Sequence, residues 1–248
     1  MELLDLFIVF AVGVLVGPFG SLVGGEALIT IPLLIFLGLP PHIAIATNRL
    51  GLTGGLITSW YEFHRKRMID YKIGFAVAIP ALAGSILGAS LVLHINEALL
   101  RKIIAILIIA VLAFVVARPQ LGVEKTKYVV RTGEYVAGVI GSFFIGIYHG
   151  FYGAGAGSLF SYLLILLFGQ TFLESAATRK IAASLGSLVA VAIFAIAGVI
   201  VYSVGIALLI GLSIGFYLGA HYSDKIGNVW IKRLFFVIVL IMAIKLLL

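Results

Sequence analysis

Read only for its hydrophobic and polar positions, the chain is a succession of long apolar runs separated by short polar breaks. Ten apolar segments can be drawn, at 3–23, 26–38, 42–63, 71–94, 97–117, 134–154, 157–169, 173–199, 203–221 and 229–248. A helix needs roughly 20 residues to cross the hydrocarbon of a bilayer. Eight segments are long enough to be membrane-spanning helices. Segments two and seven, with 13 residues each, reach only about 20 Å at the helical rise and predict short, broken helices.

The two short segments hold matching places. Shifting the chain by 131 residues lays "FLGLPPHIAIATNR" (36–49) over "LFGQTFLESAATRK" (167–180). The same shift pairs Gly24 with Gly155, Tyr71 with Tyr202, Gly74 with Gly205, Gly84 with Gly215, Gly88 with Gly219 and Arg101 with Lys232. The expected fold class is therefore an all-α polytopic membrane protein made of two repeats of five hydrophobic segments. Residues 1–117 form the first repeat, 118–133 the linker and 134–248 the second repeat.

Five crossings per repeat would turn the halves opposite ways, and the charges agree with that inversion. The connection after segment three carries Arg65, Lys66, Arg67 and Lys72, whereas its counterpart near "IVYSVG" carries no cation. The linker holds Arg118, Lys125, Lys127 and Arg131, and the ninth connection holds Lys225, Lys232 and Arg233. These connections share a side if every segment crosses, and the positive-inside rule makes that side cytoplasmic, with both termini outside.

Composition narrows the class further. With 62% hydrophobic and 11% charged residues and a mean hydropathy of +1.23, the chain has no room for a soluble domain. The net charge of +7 follows from cytoplasmic loops rather than from nucleic-acid binding. Glu2 and Asp5 occupy the start, which lacks the basic region of a cleaved signal and reads as the first span. Cysteine is absent, so disulfides, thiolate nucleophiles and Cys metal sites are excluded.

Short or glycine-interrupted segments at matching places of inverted repeats point to a transporter's midplane site. Here they follow "GPFGSLVGG" (17–25) and "GFYGAGAG" (150–157). Gly24, Gly25, Gly153, Gly155 and Gly157 are expected to break the helices and line the site, whereas Gly84 and Gly88 read as close helix packing. Arg49, Arg179 and Lys180 lie some seven residues into their segments, where a cation is costly unless it meets a cavity or a partner. They point to an anionic substrate, with Thr47, Asn48 and Thr178 adding neutral hydrogen bonds and arginine's fork suiting an oxyanion. The alternative is structural pairing of Arg49 with Glu26 and of Arg179 with Glu174. Glu26 and His149 flank the breaks and are the candidates for proton coupling.

At this point a resemblance becomes specific. The stretches "GGEALITIPLLIFLGLPPHIAIATNRL" (24–50), "IPALAGSILGASL" (79–91) and "GFYGAGAGSLFSYLLILLFGQTFLESAAT" (150–178) resemble the repeats of the sulfite exporter TauE/SafE family. Two departures stand out: "FSYLL" replaces an expected proline segment, and Arg179-Lys180 follows the second Ala-Thr. The resemblance implies a secondary transporter in the cytoplasmic (inner) membrane that exports sulfite or a small organosulfonate as an anion.

The expected partners are that small anion and the lipid bilayer, with a second copy of the chain as a candidate, and no nucleic acid, metal or cofactor. An anion channel is the competing class, separated from a transporter by whether flux ever accumulates substrate. An enzyme is disfavoured because HExxH, GxSxG and a carboxylate pair are all missing.

Overall fold

The computed structural model describes residues 2–96, 99 and 130–225. Within them the chain forms helices α1 (Leu3–Leu22), α2 (Ala27–Phe36), α3 (Pro41–Arg65), α4 (Tyr71–His94), α5 (Thr132–Phe151), α6 (Ala156–Phe168), α7 (Phe172–Ile196) and α8 (Tyr202–His221). Segments five and ten, most of the linker, and the residues Arg101, Lys102, Arg118, Lys125, Lys127, Lys232, Arg233 and Lys245 lie outside the described residues. Helices α1, α4, α7 and α8 are long and apolar enough to cross a membrane. Leu15, Ile79, Phe144, Ile196 and Ile206 face outward from these and neighbouring helices, as suits a hydrocarbon solvent.

The 131-residue spacing is written into the backbone. Helices α3 and α7 both start and end 131 residues apart, and α4 and α8 start 131 apart. Positive φ recurs at the same offset, at Gly24 (77°) and Gly155 (77°), Gly38 (94°) and Gly169 (65°), and Arg67 (54°) and Gly198 (68°). Glycine adopts that region freely, so two of the three matched turns follow from composition alone.

Matched helices run in opposite directions. The Val201 N–H just before α8 donates to Thr47 Oγ1 near the start of α3 at 3.1 Å. At the other end, the Lys66 amine donates to the Ala220 carbonyl at 2.8 Å and the His221 carbonyl at 2.6 Å. Helices α3 and α8 are therefore parallel, and α7, joined to α8 by a short turn, is antiparallel to its counterpart α3.

Two helical hairpins enter this bundle from opposite ends. Helix α1 runs along α8 with Gly13 against Gly211 and Gly17 against Gly215. It breaks after Leu22, and α2 returns the chain to the end where α3 begins. Helix α5 runs along α4, with Gly146 against Ala81 and Gly150 against Ser85. It breaks after Phe151, and α6 turns back until Phe168 packs edge-on to Tyr135, ring centroids 6.2 Å apart. A Cβ at Gly84 or Gly88 would land on the carbonyl oxygens of Phe143 or Ile147, so the α4–α5 seam tolerates glycine only.

The hairpin tips meet. A Cβ at Gly24 would lie 2.9 Å from the Gly157 Cα, and Ser158 Oγ donates to the Val23 carbonyl at 3.1 Å. Apolar packing around Ile31, Leu56, Phe63, Phe194 and Phe216 surrounds that meeting point on one side, and packing around Val77, Phe160 and Ile181 on the other.

Candidate functional site

A helix that stops inside a bundle leaves its last carbonyls without intrahelical donors and concentrates negative partial charge there. Each half supplies such an end at its hairpin tip, and each half places an arginine at the tip of the other. Arg179 of α7 sends Nη2 to the Ser21 carbonyl at 3.3 Å and the Gly20 carbonyl at 3.5 Å, at the end of α1. Arg49 of α3 donates through Nη2 to the His149 carbonyl near the end of α5, with Nη1 3.5 Å from His149 Nε2. Both side chains are buried, at 1% exposure for Arg49 and 2% for Arg179. The Nε–H of each has no partner among the described residues.

The predicted glycines divide by role. Gly24 and Gly157 make room for Arg179: a Cβ at Gly24 would sit 3.0 Å from its Nη1, and one at Gly157 would collide with it. Gly153 does the same for Arg49. Gly25, with φ of 124°, instead shapes the first tip, and its N–H donates to Glu26 Oε2 at 3.0 Å. Gly155 shapes the second tip, where its carbonyl accepts the Ser158 N–H at 3.0 Å.

The neutral residues point to packing more than to a ligand. Thr47 Oγ1 accepts the Val201 N–H, and Thr178 Oγ1 accepts the Asp70 N–H at 3.2 Å. Asn48 Oδ1 accepts from Thr30 Oγ1 at 2.5 Å, tying α3 to α2. His149 Nε2 lies 3.3 Å from both Ser187 Oγ and the Ala183 carbonyl, while its Nδ1 has no partner among the described residues.

Charge balance at the tips is positive. The Glu26 carboxylate, at the first tip and buried, acts on Arg49, Arg179 and Lys180 alike. Glu174, at the start of α7, has its Oε2 accepting the Thr171 N–H at 3.0 Å in a capping box. Lys180 packs over the ring of Phe216, 4.8 Å from its centroid. Among the described residues, three buried cations around one carboxylate favour an anion, and arginine N–H groups are the donors an oxyanion takes best. Among the described residues no group of three His, Cys, Asp or Glu side chains exists to hold a metal ion.

Five contributors escaped the sequence reading. The Gly20 and Ser21 carbonyls carried no side-chain signal. Phe63 and Phe216 lie inside apolar runs with nothing to set them apart from their neighbours. Glu62, buried near the end of α3, joins Arg65 at 2.9 Å and His221 at 3.4 Å. Beside it Lys66 meets Asp224 at 2.6 Å, so ion pairs lock the ends of α3 and α8 together.

A family model described as sulfite exporter TauE/SafE matches residues 9–246. A probable membrane transporter protein of Haemophilus influenzae is 32% identical, over 97% of this chain and 93% of its own length. The probable membrane transporter protein YfcA of Escherichia coli K12 is 29% identical, over 97% and 88%. YdhB of Bacillus subtilis, also described as a probable membrane transporter protein, is 24% identical over 94% and 95%. No solved structure matches the chain.

Proposed function

The chain belongs to the sulfite exporter TauE/SafE family, and on that premise we propose that it is a secondary transporter exporting a small sulfur oxyanion across the cytoplasmic membrane. Sulfite or an organosulfonate is the cargo, bound as an anion where the two hairpin tips meet. The observation that carries this reading is the exchange of arginines: each half reaches the broken helix of the other through a guanidinium whose Nε–H has no partner among the described residues. A bound oxyanion would accept those donors and offset a cluster whose one carboxylate among the described residues is Glu26.

Opposed hairpins suit alternating access. Rocking one half against the other would open the tips first to one side and then to the other, while the cationic centre stays in place. The described Arg65, Lys66, Arg67, Lys72, Arg131 and Lys225 gather at the end of the bundle where α4 and α5 begin, and by the positive-inside rule this supports a cytoplasmic assignment of that end. In this arrangement the described helices of the two halves are related as inverted repeats.

The test is flux in sealed vesicles. Purified protein in proteoliposomes should move labelled sulfite against its own gradient when an ion gradient is imposed. Flux that only dissipates the sulfite gradient identifies an anion channel instead. No sulfite or sulfonate flux at all rejects the cargo assignment.

A further inference from the structure

Lys180 is wholly buried, and its Nζ has no hydrogen-bond partner among the described residues. The amine faces the Phe216 ring of α8 at 4.8 Å and the Phe63 ring of α3 at 6.0 Å. Aromatic faces attract an ammonium by about 0.5–2 kcal/mol. Taking an ion out of water costs several kcal/mol, so the rings alone do not hold a charge there.

The groups facing Lys180 are few. Arg179 precedes it on α7, and Glu26 projects from the first hairpin tip. On α3, Arg49 is engaged with His149 of α5, and Glu62 is engaged with Arg65 and His221. On the α4 side, the Asp70 carboxylate caps Ile73 N at 3.0 Å. Among the described residues Glu26 is thus the anion that acts on Lys180, and it also serves both arginines. The cluster is contiguous: a Cβ at Gly20 would lie 2.6 Å from both Glu26 Oε2 and the Phe216 ring, and the Gly20 carbonyl accepts from Arg179.

Arginine keeps its charge, whereas a buried lysine can shed its charge by releasing a proton. With the site empty, three cations around one carboxylate are relieved if the amine is neutral. An arriving oxyanion brings the second negative charge that makes the ammonium favourable again. We propose that Lys180 is the proton carrier of transport: the amine takes a proton from solution as the anion binds and returns it as the anion leaves. The balance is simple: neutral amine, proton and anion combine to an ammonium–anion pair, so a proton travels with each oxyanion. This rests on the anion site proposed above and transfers the coupling role from Glu26 and His149 to a third residue.

The full-length protein in lipid nanodiscs tests it by calorimetry with methanesulfonate, which stays ionised throughout the working pH range. Titration in buffers of different ionisation heat reads binding and proton uptake together. Wild type should bind with proton uptake. Lys180→Arg should bind without it, and its affinity should lose its pH dependence. Glu26→Gln and His149→Gln should still take up the proton. Uptake that survives in Lys180→Arg, uptake lost in either of the other two variants, or wild-type binding without uptake overturns the proposal while sparing the anion site. Wild-type protein that fails to bind methanesulfonate overturns both. If Lys180→Arg does not elute as folded protein, Lys180→Gln replaces it with the same readout.

Discussion

Thr178 of α7 accepts the backbone N–H of Asp70 at 3.2 Å, just where α4 begins. The residue 131 positions before Thr178 is Thr47, and it accepts the N–H of Val201, 131 positions after Asp70, at 3.1 Å. Each bond satisfies an amide at the start of a helix, where intrahelical partners are missing. Each also crosses between the halves, so the same joint is made twice, at opposite ends of the bundle.

Thr47→Val and Thr178→Val should therefore destabilise the protein comparably, each by about 0.5–1.5 kcal/mol, the net worth of a partly buried hydrogen bond. Thr→Ser at either site should recover most of the loss. Thermal unfolding of the detergent-purified variants checks this. A Thr47→Val protein with unchanged stability but weakened anion binding would place the hydroxyl in the ligand site instead.

Two glycine substitutions should separate packing from binding. Gly88→Ala puts a methyl onto the Ile147 carbonyl, a backbone atom that cannot step aside, and the yield of folded protein should fall. Gly157→Ala puts it onto the Arg179 guanidinium, the end of a flexible side chain. That variant should elute normally in gel filtration and lose transport. Full activity in Gly157→Ala would mean that the position of the guanidinium is unimportant.

Neutralising Arg179 tests the anion directly. Arg179→Gln should weaken binding of a sulfite-like anion by about 1.5–3 kcal/mol, the scale of a hydrogen bond to a charged group. Arg179→Lys should recover part, because the charge stays while the fork is lost. If Arg179 serves only as a counter-charge to Glu26, the double variant Glu26→Gln/Arg179→Gln should regain activity. A substrate-binding arginine allows no such rescue.

Sidedness is testable because the sequence contains no cysteine. A cysteine at exposed Ser203, ahead of most of α8, should react with an impermeant thiol reagent from outside the cell. One at Arg67, in the turn between α3 and α4, should react only after the cytoplasmic face is opened. The reverse pattern would turn the molecule over, and labelling of both from one face would contradict the antiparallel course of α3 and α7.

Much of the frame was legible in the residues because it depends on local pattern. Glycines at 24, 155, 38 and 169 mark turns of positive φ wherever they sit. Segment length announced that α2 and α6 were too short to span. The burial of Arg49, Arg179 and Lys180 was visible as cations inside apolar runs. That Gly84 and Gly88 belong to a close helix seam follows from small-residue spacing, whereas their partner on α5 does not. What escaped was every contact made by a backbone carbonyl, since no side chain announces it.

The sequence by itself determined the 131-residue repeat, the helix starts and the depth of the three cations, because apolar periodicity and glycine act over a few neighbouring residues. Only the tertiary structure decided which positions are partners. Sequence register pairs Arg49 with Lys180 and Asn48 with Arg179. In space it is Arg49 and Arg179 that do the same work, each on the other half's broken helix, while Lys180 turns to the Phe216 ring and Asn48 to Thr30. Neighbouring residues on a helix point about 100° apart, so one step along the chain changes what a side chain faces. Which faces meet depends on how the helices pack, and packing joins residues more than a hundred positions apart that no local pattern connects.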